Sequence, residues 1–175
     1  MTNPESLTIR RSDVSDQEAV LKLYQKVARE PGGLARLEPE VDADYIAGFL
    51  AAGVERGLGL VALLDDALVG EIHAYAPGLF CFAHVLSDLT IAVDPDAQGA
   101  GVGRRLFSEF MQTVAEELQD IQRVELIARE SNQRAIRFYE SLGFEQEGVF
   151  RDRIRNLDGS LEADIPMAWM RPGSD

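Results

Sequence analysis

The chain has 175 residues, close to one domain at the usual size of about 100–200 residues each. Its 17 basic and 30 acidic residues give a formal charge of −13, which repels phosphate backbones and makes nucleic acid an unexpected partner. The longest apolar run, Leu58 to Leu64, stops at Asp65-Asp66, well short of the roughly 18 residues a membrane span needs.

The opening stretch MTNPESLTIRR lacks the basic and apolar regions of a signal peptide. Cys81 is the single cysteine, so no internal disulfide forms. A cytoplasmic protein with no membrane association is expected. Leu7 to Arg11 alternates as a short strand. Ser15 and Glu18 have capping-box spacing, and Val20, Leu23, Tyr24 and Val27 then share one face of a helix ending before Pro31-Gly32-Gly33. A second helix is expected over Asp42 to Arg56. Strands at Gly59 to Leu64 and Ala67 to Tyr75 form a hairpin through Asp65-Asp66.

A further strand is predicted over His84 to Val93, ended by Asp94-Pro95. From Val102, the positions Leu106, Phe107, Phe110, Met111, Val114 and Leu118 trace an amphipathic helix. Val124 to Ala128 is the next strand, and Asn132 to Leu142 the next helix, closed by Gly143. Strands near Glu147 to Arg153 and Ala163 to Met170 flank the turn Asn156-Leu157-Asp158-Gly159. The order βααβββαβαββ makes a single α/β domain over residues 1–175, a mixed sheet with helices on its faces.

Gly99, Gly101 and Gly103 lie where a strand gives way to a long helix. Glycines allow close backbone approach, and a helix N-terminus offers free N–H groups and partial positive charge, so this junction suits a pyrophosphate. Gln98 and Arg104 can add side-chain donors. A Walker loop would end in Gly-Lys-Ser or Gly-Lys-Thr, but Gly103 is followed by Arg104-Arg105. The spacing G-x-G-x-G, deep in the chain, also departs from the dinucleotide fingerprint.

The run Val93-x-Pro95-x-x-Gln98-Gly99-x-Gly101-x-Gly103 resembles the signature motif of the GNAT superfamily of acyl-CoA-dependent N-acetyltransferases. Asn132-x-x-Ala135-Ile136-x-Phe138-Tyr139-x-x-x-Gly143-Phe144 resembles that family's second motif, at the expected distance. The resemblance implies a GNAT-like, mostly antiparallel sheet flanked by helices. It implies acetyl-CoA as co-substrate, its pantetheine arm on the backbone of Ile91, Ala92 and Val93. Its phosphates would rest on Gln98, Gly99, Ala100, Gly101, Val102, Gly103 and Arg104, with Asn132 holding the arm. Tyr139 would face the sulfur as the acid for the departing thiolate. A homodimer is expected by the same analogy.

An acceptor ammonium must lose a proton before attack. Asp88 shares a strand face with Thr90 and Ala92 if pairing there is regular, which makes it the first candidate base; Glu71, His73 and His84 are rivals. Arg129 and Arg134 are further candidates for the cofactor phosphates. Arg36, Arg151 and Arg153 could bind an amino-acid carboxylate. No cluster has metal-ligand spacing, so no metal is implied. The expected reaction is acetyl transfer to the primary amine of a small molecule such as an amino acid. A protein N-terminus or a polyamine is the alternative acceptor, and a non-catalytic acetyl-CoA-binding module the alternative role.

Overall fold

The computed structural model describes residues 6–173, and they divide into two compact units. The first unit runs to Tyr75 and resumes over Thr90–Leu118; the second comprises Ala76–Leu89 and the residues from Gln119 onward. Strand β4 (Val85–Val93) therefore gives its first half to one unit and its second half to the other.

The first unit contains β1 (Leu7–Arg11), α1 (Gln17–Ala28), α2 (Ala43–Arg56), β2 (Gly57–Leu64), β3 (Ala67–Tyr75) and α3 (Val102–Glu117). β1 pairs antiparallel with β2, from Leu7↔Leu64 to Arg11↔Leu60. β2 pairs antiparallel with β3, from Gly57↔Tyr75 to Leu64↔Ala67. The hairpin between them closes through Asp65 and Asp66, both at positive φ, the geometry that matches strand twist in two-residue turns. Alternation along the strands gives the sheet two buried faces. Val61 and Ala92 pack with Val20, Leu23, Tyr24 and Val27 of α1 and Ile46, Phe49 and Leu50 of α2. On the other face, a Cβ at Gly70 would lie 3.2 Å from Leu106 and 3.4 Å from Val102 of α3. Fully buried Phe107 and Phe110 make α3 the second apolar layer.

In the second unit, β5 (Arg123–Arg129) runs parallel to the start of β4 through Val85↔Arg123 and Leu86↔Val124. It pairs antiparallel with β8 (Leu161–Met170), from Arg123↔Met170 to Arg129↔Asp164. The short β6 (Glu145–Gln146) and β7 (Phe150–Arg155) also pair antiparallel with β8. Helix α4 (Gln133–Ser141) buries Ile136. It ends in a Schellman turn in which the amides of Gly143 and Phe144 donate to the carbonyls of Glu140 and Tyr139 at 3.0 and 3.1 Å. The architecture is mixed α/β, a mostly antiparallel sheet flanked by helices.

Four details depart from the sequence expectation, the first being the extra short strand β6, which makes the order βααβββαβαβββ. The capping box ahead of α1 is formed by Asp13 and Asp16 on a short 3₁₀ turn, not by Ser15 and Glu18. Asp13 accepts from the Ser15 amide at 2.7 Å, while Glu18 pairs with Lys22 one turn on. The two nearer carboxylates outcompete a hydroxyl for the same orphan amides. β2 starts at Gly57 because that residue already pairs with Tyr75, and β7 starts at Phe150, where pairing to Asp164 begins.

Two glycines test this packing in opposite directions. A Cβ at Gly57 would lie 2.3 Å from the Ala74 carbonyl oxygen and 2.6 Å from the Tyr75 Cα, whereas one at Gly48 in α2 would meet nothing within 4 Å. Gly57→Ala is expected to lower unfolding stability in urea by about 1–3 kcal/mol through overpacking. Gly48→Ala should raise it by about 0.5–1 kcal/mol. A second prediction concerns Asp16, which is buried and bonded to Arg10 at 2.8 and 2.9 Å. The Arg10 hydrogen bonds, against the opposing effect of burial, hold its carboxyl below the ordinary range. Its stabilising effect is therefore present above the unfolded value and is lost as pH falls through the lowered folded value. The gap in urea midpoint between wild type and Asp16→Asn should narrow as the pH is taken from 7 towards 3, and a constant gap would assign the effect to packing.

Candidate active site

At the end of β4 the chain is held on two sides. The Asp94 amide donates to the Val69 carbonyl of β3 at 2.8 Å, and Lys26 of α1 reaches Asp94 at 2.6 Å and Asp96 at 2.7 Å. Burial resists ionisation of Asp94, but the Lys26 ammonium and the Asp96 amide outweigh it and keep the carboxyl below its usual range. This brace fixes the root of the glycine loop.

The three glycines of that loop have different physical jobs. Gly99 and Gly101 adopt positive φ, +87° and +77°, with open space where a side chain would be. Gly101 caps α3 without a side chain, so the cap residue itself offers the first-turn amides no side-chain acceptor. Gly103 is a packing residue, since a Cβ there would lie 3.3 Å from Val93. Gln98, Gly99, Ala100, Gly101 and Arg104 are exposed, while the Val102 side chain is buried and contributes only its backbone. Ile91 and Val93 are half-buried, and Ala92 turns its methyl into the α1–α2 core. An exposed helix start ringed by backbone donors fits an anionic group such as a pyrophosphate.

On the α1–α2 face of the same unit lies a polar cluster whose members are scattered along the sequence. Glu71 and His73 alternate onto one face of β3, and both are buried. The Glu71 carboxylate accepts from the Tyr24 hydroxyl of α1 and lies 3.0 Å from Nδ1 of His73. Burial, then the Glu71 charge, push the Tyr24 hydroxyl well up, so it remains a donor. Phe49 of α2 stacks on the His73 imidazole with centroids 3.9 Å apart and planes 11° apart. Next to them Tyr45 packs edge-on to both Tyr24 and Phe49, and the Arg36 guanidinium sits 3.8 Å over the Tyr45 ring. Among the described residues no carboxylate pairs with Arg36; its hydrogen bond to the backbone goes to the Glu40 carbonyl at 3.5 Å. The i, i+2 spacing of Glu71 and His73 was the available signal for this cluster, but the partner from α1 was not.

The second unit carries the other motif. Asn132 caps α4, accepting from the Ala135 amide at 3.2 Å, which commits its oxygen and leaves its NH₂ as a donor. Tyr139 lies half-buried beside Phe138 and Phe144, and burial pushes its hydroxyl up. Asp88 sits at φ +55° and is exposed. The regular alternation with Thr90 and Ala92 expected for β4 is thus interrupted at Asp88, a residue type that tolerates the left-handed region.

Other candidates are engaged elsewhere. Arg129 is held by Asn156 at 2.9 Å and Glu162 at 2.8 Å, bracing the turn between β7 and β8. Arg153 pairs with Asp164 at 3.1 Å and lies over Phe150. Arg134 and Arg151 are exposed, and the His84 carbonyl accepts from the Gln122 amide. Cys81 is an exposed loop thiol. Among the described residues no His, Cys, Asp and Glu group could hold a metal ion, and no helix is long and apolar enough to cross a membrane.

Comparison with known proteins bears on this arrangement. The family model described as Acetyltransferase (GNAT) family matches residues 17–144. The [Ribosomal protein bS18]-alanine N-acetyltransferase of Escherichia coli K12 is 39% identical over 75 residues, 43% of this chain and 49% of that protein. Mycothiol acetyltransferase of Kocuria rhizophila is 31% identical over 117 residues, 67% of this chain and 31% of that protein. The chain thus spans half the length or less of these two relatives. Among solved structures, a ribosomal-protein-alanine N-acetyltransferase from Brucella melitensis superimposes with TM-score 0.79 and 23% identity over 93% of this chain and 99% of that one. The structure of yncA from Salmonella typhimurium with its cofactor acetyl-CoA gives TM-score 0.81 and 20% identity over 97% and 96%. These two similarities carry the fold. The family match takes in the loop from Gln98 to Gly103 and the helix from Asn132 to Tyr139, so the chain belongs to the acetyltransferase (GNAT) family.

Proposed function

We propose that this protein is a cytoplasmic, acetyl-CoA-dependent N-acetyltransferase that moves the acetyl group directly to the primary amine of a small molecule such as an amino acid. Acetyl-CoA supplies an activated acyl carbonyl; the protein's own residues have to bind it, neutralise the amine and protonate the leaving thiolate. The loop amides from Gly99 to Gly103 would hold the pyrophosphate at the uncapped start of α3, and Asn132 would bind the arm through its NH₂. Tyr139 would protonate the thiolate. Burial pushes its hydroxyl up, so it enters the reaction as a protonated donor.

The observation that carries the small-molecule reading is Arg36. An exposed guanidinium stacked on Tyr45 and lacking a carboxylate partner is free to pair with the acceptor's own carboxylate. The similarity to the bS18-alanine N-acetyltransferase supports a second reading, transfer to a protein N-terminus. The two readings share an α-amine and differ in whether a free carboxylate lies next to it.

Thiol release from acetyl-CoA, measured over amino acids, amino-acid amides, polyamines, aminoglycosides and alanine-initiated peptides, separates them. Free amino acids should raise release and their amides should not. Arg36→Met should raise KM for the amino acid about tenfold or more, matching a lost charge-assisted bond of about 1.5–3 kcal/mol. Release with peptides only would select the second reading. Bound acetyl-CoA with no release on any acceptor would make the protein a binding module. Tyr139→Phe should lower kcat by about 10²-fold or more while acetyl-CoA affinity stays near wild type; an unchanged kcat would remove Tyr139 from the mechanism.

A further inference from the structure

The buried trio on the α1–α2 face is more than a core polar network. Every buried side-chain nitrogen and oxygen among the described residues has a hydrogen-bond partner. The Nδ1 atom of His73 faces Glu71 at 3.0 Å and Tyr24 at 3.4 Å. Its other ring nitrogen, Nε2, makes no hydrogen bond to another described residue, and His73 as a whole is 3% exposed. A carboxylate fixing one imidazole nitrogen while the other has no protein partner is the arrangement of an oriented proton acceptor.

The sheet register brings this group to the donor strand. The bond from the Asp94 amide to the Val69 carbonyl sets those residues opposite each other. In the β2–β3 ladder Val61 lies opposite Glu71 and Gly59 opposite His73, and Val61 and Ala92 belong to one core cluster, so Glu71 and Ala92 share a face of the sheet. Ala92 indeed packs in the same core as Tyr24 and Phe49. His73 therefore lies on the same helix-covered face of the sheet as Ala92.

On the reading of the protein as an amine acetyltransferase, we infer that His73 takes the proton from the incoming ammonium through Nε2. Glu71 and Tyr24 are its positioning residues. The N–H bond of the ammonium breaks, its electron pair stays on nitrogen as the attacking lone pair, and the proton forms a new N–H bond at Nε2. The resulting imidazolium is balanced by the Glu71 carboxylate and later gives its proton to solvent. Tyr24 holds the Glu71 oxygen that would otherwise rotate, and Phe49 keeps the ring in plane. Tyr75 also stacks on His73, with Arg56 over the Tyr75 ring, and Tyr45 with Arg36 packs behind Tyr24 and Phe49. Burial pushes the Tyr45 hydroxyl up, so it supplies no competing negative charge.

The test uses the full chain with acetyl-CoA and its best amine acceptor. His73→Asn keeps a donor towards Glu71 but has no basic nitrogen. It should lose about 10²-fold or more in kcat/KM at pH 7 and recover most of that near pH 10, where the amine is neutral unaided. Glu71→Gln should show the same pH-dependent deficit in smaller measure. Acetyl-CoA affinity of both variants should match wild type. A deficit equal at both pH values, or no deficit, overturns the inference, as does a pH-dependent loss in Asp88→Asn that His73→Asn lacks.

If the variants do not fold, wild-type ¹⁵N-histidine spectra decide the matter. The chain has two histidines, so His84→Gln assigns the signals. The His73 Nε2 resonance must shift on adding an unreactive acceptor analogue, and a static resonance overturns the inference. An active wild type with unaffected variants removes this inference alone. A wild type that acetylates no amine removes it together with the function on which it rests.

Discussion

A carboxylate taken wholly out of water has to be surrounded by donors before a sheet can close over it, and Glu71 imposes that demand on the first unit. An unpaired buried charge costs several kcal/mol even after relaxation. The sequence meets it from two elements, with the Tyr24 hydroxyl from α1 and the His73 ring from β3. Those partners set what comes next: Phe49 must lie flat on the imidazole, and Tyr45 must fill the angle between Tyr24 and Phe49. A fully satisfied polar trio of this kind fixes one arrangement of the helices over the sheet.

The glycine loop shows why a motif is not one physical thing. Gly99 and Gly101 are there for backbone conformation and open space, and Gly103 for the closeness of α3 to Val93. The residues commonly grouped as phosphate contacts therefore divide into those that present amides outward and one that lets the helix start near the strand. The brace from Lys26 to Asp94 and Asp96 lies outside the motif but determines where the loop begins.

Much of the fold was legible because its periodicities are strong. The α3 stripe from Leu106 to Val114 and the strands Ala67 to Tyr75 and Leu7 to Arg11 stand at the expected positions. The cap of α1 was misplaced because Ser15-x-x-Glu18 and Asp13-x-x-Asp16 satisfy the same spacing, and only the bidentate contact of Asp16 with Arg10 distinguishes them. The regular alternation assumed through Asp88 is interrupted by its left-handed φ, a backbone feature that the apolar pattern of the strand does not carry. The trio itself was hidden for a different reason. Tyr24 reads as one more member of a helical apolar stripe, and its partner lies 47 residues away in the chain.

Helix α1 carries Tyr24 and Lys26 within one turn of each other, so one rigid element holds both the root of the glycine loop and the hydroxyl on Glu71. The place where the glycine loop begins and the place of the Tyr24 hydroxyl are thus set by one and the same helix.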